Sequence, residues 1–118
     1  MLYKRQEIQN DIVIIKLKRE LICVKGAIFT DGNASSDYTS FYNDFDDLSR
    51  LDWNCLNDDN WYTHTDGRRT RMSEVLVPNY VSTDNIEAII CNNVFTKQNV
   101  EKLTNTPCMI DNAKNFYF

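Results

Sequence analysis

With 118 residues, a formal net charge of −4 and 42% hydrophobic residues, the chain has the makings of one globular domain, with a core but little room for a large cofactor. The acidic excess excludes a generally basic nucleic-acid binder, though a local basic loop can still act, because screening lets nearby charge outweigh the total. No apolar run approaches the roughly 20 residues of a membrane span, and Met1-Leu2-Tyr3-Lys4-Arg5 is not a secretory signal, so the expected compartment is the cytoplasm, with no membrane partner.

Ile12-Val13-Ile14-Ile15 is a continuous β-branched run, the pattern of a strand covered on both faces. Lys16 to Lys25 mixes charge with Leu17, Leu21, Ile22 and Val24 and fits a short helical turn or a second strand. Gly26-Ala27-Ile28-Phe29 reads as a strand closed by the turn Thr30-Asp31-Gly32-Asn33. From Asn33 to Arg71 the character changes. Gly, Ser, Asp and Asn dominate, interleaved with Tyr38, Phe41, Tyr42, Phe45, Trp53, Trp61 and Tyr62. Such a stretch holds only short helices, near Phe41, Phe45 and Leu48 and from Asp52-Trp53 onward. Long irregular connections inside compact domains are uncommon and tend to be functional.

Regular structure then returns. Glu74 to Val77 reads as a buried strand, and Ser82-Thr83-Asp84 supplies N-cap chemistry for a brief turn. Glu87 to Cys91 is a further strand, and Thr96 to Leu103 a short helix capped by Thr96. Cys108-Met109-Ile110 and Phe116-Tyr117-Phe118 supply edge strands. Several short strands mixed with short helices place the chain in the α+β class.

Cys23, Cys55, Cys91 and Cys108 are widely spaced, without a CxxC pair, and His64 is the single histidine. That spacing argues against a zinc site and for reduced structural thiols, so no metal is expected, and His64 reads as an ordinary loop residue. The many aspartates lack the glycine and terminal glutamate of an EF-hand. The strongest chemical signal is Arg68-Arg69-Thr70-Arg71-Met72-Ser73-Glu74, three cations running into one carboxylate at the mouth of a strand. A fixed carboxylate there suits cleavage of an N-glycosidic bond, where it offsets the charge of an oxocarbenium-like sugar. The plainer alternative is a surface ion pair with Arg68, Arg69 or Arg71, worth about 0–1 kcal/mol. Guanidinium groups after an aromatic-rich loop likewise fit single-stranded nucleic acid, since bases stack on aromatic faces at about 1–3 kcal/mol each. They equally fit a solvated basic turn balanced by the acids around it.

Four motifs in order, Phe29-Thr30-Asp31-Gly32-Asn33-Ala34, Phe41 to Leu48, Leu51-Asp52-Trp53 with Trp61, and Arg69 to Val77, resemble the DarT family of single-stranded-DNA thymidine ADP-ribosyltransferases. The resemblance runs over residues 1–118. It implies an ADP-ribosyltransferase-like fold with a long irregular substrate-recognition loop at about 33–74. NAD is implied as a co-substrate that is not tightly held, and single-stranded DNA containing thymine as the acceptor. The implied role is that of the toxin in a toxin–antitoxin pair, with a cognate antitoxin as partner. Glu74 falls on the family's catalytic glutamate, and Arg68, Arg69, Arg71, Asn33 and Tyr42 fall where the single strand is met.

Family members are nearly twice this long, and what this chain resembles is the carboxy-terminal portion. The amino-terminal half, with the histidine and following element that grip NAD, is therefore expected to be absent or encoded separately. His64 lies inside the recognition loop and does not carry over as that histidine, and neither Arg5 nor Arg19 has the motif context of the arginine in that half whose implied role is to help activate thymine. Met72-Ser73 also stands where a small alanine-like residue is usual. Transferase activity thus follows from the resemblance, while the chain by itself is expected to be inactive or nearly so, a remnant or a binding module.

Overall fold

The computed structural model of the protein describes residues 6–113. Helix α1 (Gln6–Gln9) leads into strand β1 (Val13–Leu17), a 3-10 turn (Arg19–Cys23) and strand β2 (Ile28–Thr30). Strand β3 (Phe41–Tyr42), a 3-10 turn (Phe45–Arg50), helix α2 (Trp53–Leu56), a second such turn (Trp61–Thr63) and helix α3 (Gly67–Thr70) follow. Strand β4 (Val75–Leu76), a turn (Thr83–Asn85), strand β5 (Ile86–Cys91), helix α4 (Val94–Glu101) and strand β6 (Cys108–Ile110) complete the described chain. The class is α+β, as the sequence predicts. The chain falls into two compact units, Glu20–Tyr80 and the segments on either side of it.

The flanking segments build a three-stranded sheet in the order β1-β5-β6. β1 runs antiparallel to β5, while β6 lies parallel to β5, so the chain crosses over through α4 to reach it. Ile14 packs against Ala88 and Ile90. The opposite face is open: Ile15 is 52% exposed and Leu17 is exposed too. The expectation of a strand covered on both faces is therefore corrected, because a β-branched run specifies extended backbone without specifying a second layer. Helix α4 begins two residues earlier than predicted. Asn93, not Thr96, caps it, its side-chain oxygen accepting from the Thr96 N–H at 2.8 Å. The Thr96 hydroxyl instead donates to the Asn10 carbonyl. Ser82 caps the turn at Thr83–Asn85 as predicted.

In the Glu20–Tyr80 unit, β2 is the centre of an antiparallel sheet ordered β3-β2-β4. Phe29 is buried at its middle, edge-on to Phe45 with ring centroids 6.3 Å apart. Phe41 lies in β3, paired with Thr30, rather than in the helix predicted for it. Glu74 precedes β4, whose Val75 and Leu76 are exposed, so this is not the buried strand its composition predicts.

The acid-rich stretch between Asn33 and Glu74 is a chain of short elements, many of them started by an Asx side chain. Asn33 accepts from the Ser35 N–H, Asp44 from Asp46, Asp52 from Cys55 and Asp58 from Asn60. Local backbone capping thus accounts for much of its Asp and Asn content. At Gly67, which opens α3, a Cβ would collide with the Trp61 carbonyl, so only glycine fits. The residues preceding Gln6 and the Phe116-Tyr117-Phe118 strand expectation lie outside the described residues.

Candidate active site

Glu74 is held by its backbone and leaves its side chain exposed. The buried Thr30 does the holding. Its N–H donates to the Glu74 carbonyl at 3.0 Å, and its Oγ1 accepts from the Glu74 N–H at 2.8 Å. The same hydroxyl donates to the Gly32 carbonyl at 2.7 Å. Among the described residues the Glu74 carboxylate makes no ion pair. The surface pairing with neighbouring arginines that the sequence left open is thus not the arrangement adopted.

The three arginines have separate fates. Arg69 turns inward, its side chain only 19% exposed. Its Nη1 donates to Asp31 Oδ1 and Thr39 Oγ1, each at 3.0 Å, and its Nε to Asp66 Oδ2 at 2.5 Å. Those bonds, Asp66 foremost, raise its pKa against the opposing effect of burial. At Asp31 burial alone would raise the carboxyl pKa. The Ser40 N–H and the Arg69 guanidinium outweigh it and hold the group below the usual carboxylate value. A Cβ at Gly32 would land on the Arg69 guanidinium, so a larger residue there would displace that side chain. Arg71 donates through Nη1 to the Leu56 carbonyl at the end of α2. Arg68 stands exposed on α3 and has no ion pair among the described residues.

Asn33 joins the same cluster. Its N–H donates to the Arg69 carbonyl at 3.0 Å, and its side-chain nitrogen approaches Met72 Sδ at 3.5 Å. The turn after β2 and the segment from α3 to β4 are therefore laced together, which places Asn33, Arg69 and Glu74 in one neighbourhood. Tyr42 sits on the far strand of the sheet, opposite Phe29, with the Arg50 guanidinium 5.8 Å over its ring. Within the loop at about 33–74 the most exposed aromatic side chains are instead those of Tyr38 and Tyr62.

Thr30 and Asp31 were legible in sequence only as turn residues. Their positioning roles arise from contacts with Glu74 and Arg69 some forty residues on, which no local pattern signals. By sequence His64 is an ordinary loop residue. In space it has Cys55 and Asp52, with ligand atoms all within 4.8 Å of one another. Cys55 is fully buried, and burial followed by the charge of Asp52 pushes its thiol pKa up, which is the opposite of what a nucleophilic thiol needs. All four cysteines are free. A cleft of about 340 Å³ in this unit is lined by Ile22 to Ala27, Phe29, Asn43 and Phe45, without Glu74. No helix among the described residues is long and apolar enough to cross a membrane.

Comparison with known proteins gives this geometry a context. No curated protein sequence matches the chain significantly. Among solved structures, a Thermus sp. 2.9 DarT in complex with NAD+ is similar, with a TM-score of 0.82 and 19% identity, over 99% of this chain and 65% of that one. The same Thermus protein in complex with ADP-ribosylated ssDNA gives a TM-score of 0.80 at 19% identity, over 93% of this chain and 56% of that one. Thermosipho africanus DarTG in complex with ADP-ribose gives 0.70 at 25% identity, over 93% and 31%. The chain thus spans 65% of the Thermus protein in its NAD+ complex, more than the half expected from the sequence. Those likenesses establish the fold. A family sequence description, "ssDNA thymidine ADP-ribosyltransferase, DarT", matches residues 1–118, and the chain therefore belongs to the DarT family.

Proposed function

We propose that this chain supplies the DNA-recognition segment and the catalytic glutamate of an NAD-dependent transferase that attaches ADP-ribose to thymine in single-stranded DNA. The observation that carries the reading is Glu74. Thr30 fixes its backbone at both the N–H and the carbonyl, while its carboxylate is exposed and unpaired among the described residues. A fixed backbone with an unengaged carboxylate leaves the head available to a substrate at a defined position. In this role the carboxylate holds a ribose hydroxyl and offsets the positive charge that develops as the nicotinamide bond opens. Arg68, Asn33 and the exposed aromatic rings face the single strand, while Arg69 and Arg71 shape the segment that presents them. Tyr42 serves the strand only if Arg50 yields its ring.

For NAD the described residues supply one pole on this reading, the exposed Glu74 carboxylate. The 340 Å³ cleft and a larger one of about 540 Å³ beside α4 are both lined by other residues. Electrostatic catalysis depends on a preorganised cofactor site. The 65% coverage of the Thermus relative favours a reading in which NAD-gripping residues come from a further segment, in cis or from a separate chain. On the family resemblance the completed enzyme is a cytoplasmic toxin held in check by a cognate antitoxin.

The test gives the purified chain NAD and a thymine-containing single-stranded oligonucleotide and follows the adduct by mass spectrometry. Little or no adduct is expected from the 118 residues alone. Joining them to the NAD-binding segment of a DarT relative should restore transfer, and Glu74→Ala should then reduce it by about 100-fold or more. An adduct that survives Glu74→Ala refutes the assignment.

A further inference from the structure

We propose that Asp52, Cys55 and His64 form a binding site for a zinc-class divalent cation that cross-links the recognition segment. The three residues bring a carboxylate, a thiol and an imidazole to within 4.8 Å of one another, and all lie in the Glu20–Tyr80 unit. Around a tetrahedral zinc ion, bonds of about 2.0–2.3 Å set ligand atoms roughly 3.3–3.8 Å apart, so a small inward rotation closes the set. Asp52 is exposed and can make that movement. Mixed sulfur, nitrogen and oxygen donors suit a borderline-soft ion rather than calcium or magnesium, which take oxygen. Solvent fills the fourth position from the Asp52 side.

The surroundings are arranged as a metal site requires. Asp52 caps α2, one oxygen accepting from the Cys55 N–H at 3.0 Å, which fixes the two ligands relative to each other and leaves the second carboxylate oxygen to coordinate. Cys55 is fully buried, and its thiol has only a weak 3.9 Å contact with the Gly67 carbonyl to give up. His64 Nε2 lies 2.8 Å from Asp58 Oδ2, which leaves Nδ1 as the ligand nitrogen of this proposal. Pairing of a ligating histidine with a carboxylate is the usual outer-shell arrangement: it places the proton on Nε2 and turns the lone pair of Nδ1 toward the ion. Binding displaces the Cys55 proton to solvent and forms the metal–thiolate bond. The ion would tie α2 to the residue that ends the Trp61–Thr63 turn. His64 in turn accepts from the Gly67 N–H, so the start of α3 is held as well.

The purified full chain is stripped with chelator and titrated with Co2+ alone, then with Zn2+. One Co2+ per chain is expected, with a thiolate-to-cobalt charge-transfer band that Zn2+ abolishes, and Zn2+ should raise the thermal midpoint. Asp52→Asn retains the helix cap, and with His64→Gln it should weaken binding at least tenfold. Asp58→Asn should weaken it about 10–100-fold through the ring it orients. Because Cys55→Ser falls in a buried position, the surface variants carry the test should it misfold. A folded chain without the band, a band unchanged in both Asp52→Asn and His64→Gln, or one lost only with Cys23→Ser overturns the site.

Discussion

At the scale of single residues, Thr30 is the centre of the candidate site, although it bears no chemistry of its own. Its one hydroxyl accepts from Glu74 and donates to Gly32 in a fully buried setting. Thr30→Val keeps the shape and strands both partners, which should destabilise the protein by about 1–3 kcal/mol. Thr30→Ser should recover most of the loss in chemical denaturation. Asp31 makes a pH prediction. Its folded pKa is lowered relative to the unfolded chain, so its contribution is fully present above the unfolded carboxylate pKa. That contribution is lost as pH falls through the unfolded value toward the lower folded one. A plot of stability against pH should therefore decline over this acidic range in the parent and less steeply in Asp31→Asn. The motifs single out Asn33, Arg69 and Glu74, and the bond from the Asn33 N–H to the Arg69 carbonyl joins two of those motifs in space. That Arg69 points inward was not legible in the sequence, because its partner Asp31 lies 38 residues away.

At the scale of elements, start signals were readable and exposure was not. Ser82 and Asp52 cap where their sequence chemistry says they should, since a cap depends on its own few neighbours. The cap of α4 was not readable from its neighbours alone. Asn93 and Thr96 are both competent, and the decision fell to the tertiary contact between Thr96 and the Asn10 carbonyl. β1 and β4 were found as strands, yet the covering expected for each is missing. Burial depends on a second layer, and a five-residue pattern carries no record of one. The glycine that opens α3 follows the same logic, because it is the close approach of the Trp61 carbonyl that leaves no room for a Cβ at Gly67.

At the scale of the whole molecule, the excess of uncovered apolar surface is the main physical fact. Ile15, Leu17, Val75, Leu76, Phe95, Leu103 and Met109 are all exposed, on strands, in α4 or just after it. Contiguous apolar faces and open strand edges drive association in water. The isolated chain is thus expected to self-associate with rising concentration in analytical ultracentrifugation, and Ile15→Lys should reduce it. A chain that stays monomeric across the accessible range would mean that these faces are satisfied in solution.

The inward turn of Arg69 also bears on how the chain would meet a single strand in its proposed role. With one guanidinium shared between two carboxylates and Arg71 bonded to a main-chain carbonyl, Arg68 is the cation of the cluster left to displace counterions from a phosphate. The acids outnumber the bases between residues 20 and 80, so the local field gives no compensating attraction. Each phosphate neutralised on a single strand contributes a slope of about −0.7 to log K against log salt concentration. On the proposed reading the affinity of this chain for a thymine-bearing strand should therefore show a slope of about −1 or shallower in an anisotropy titration, with stacked bases rather than released ions setting its strength.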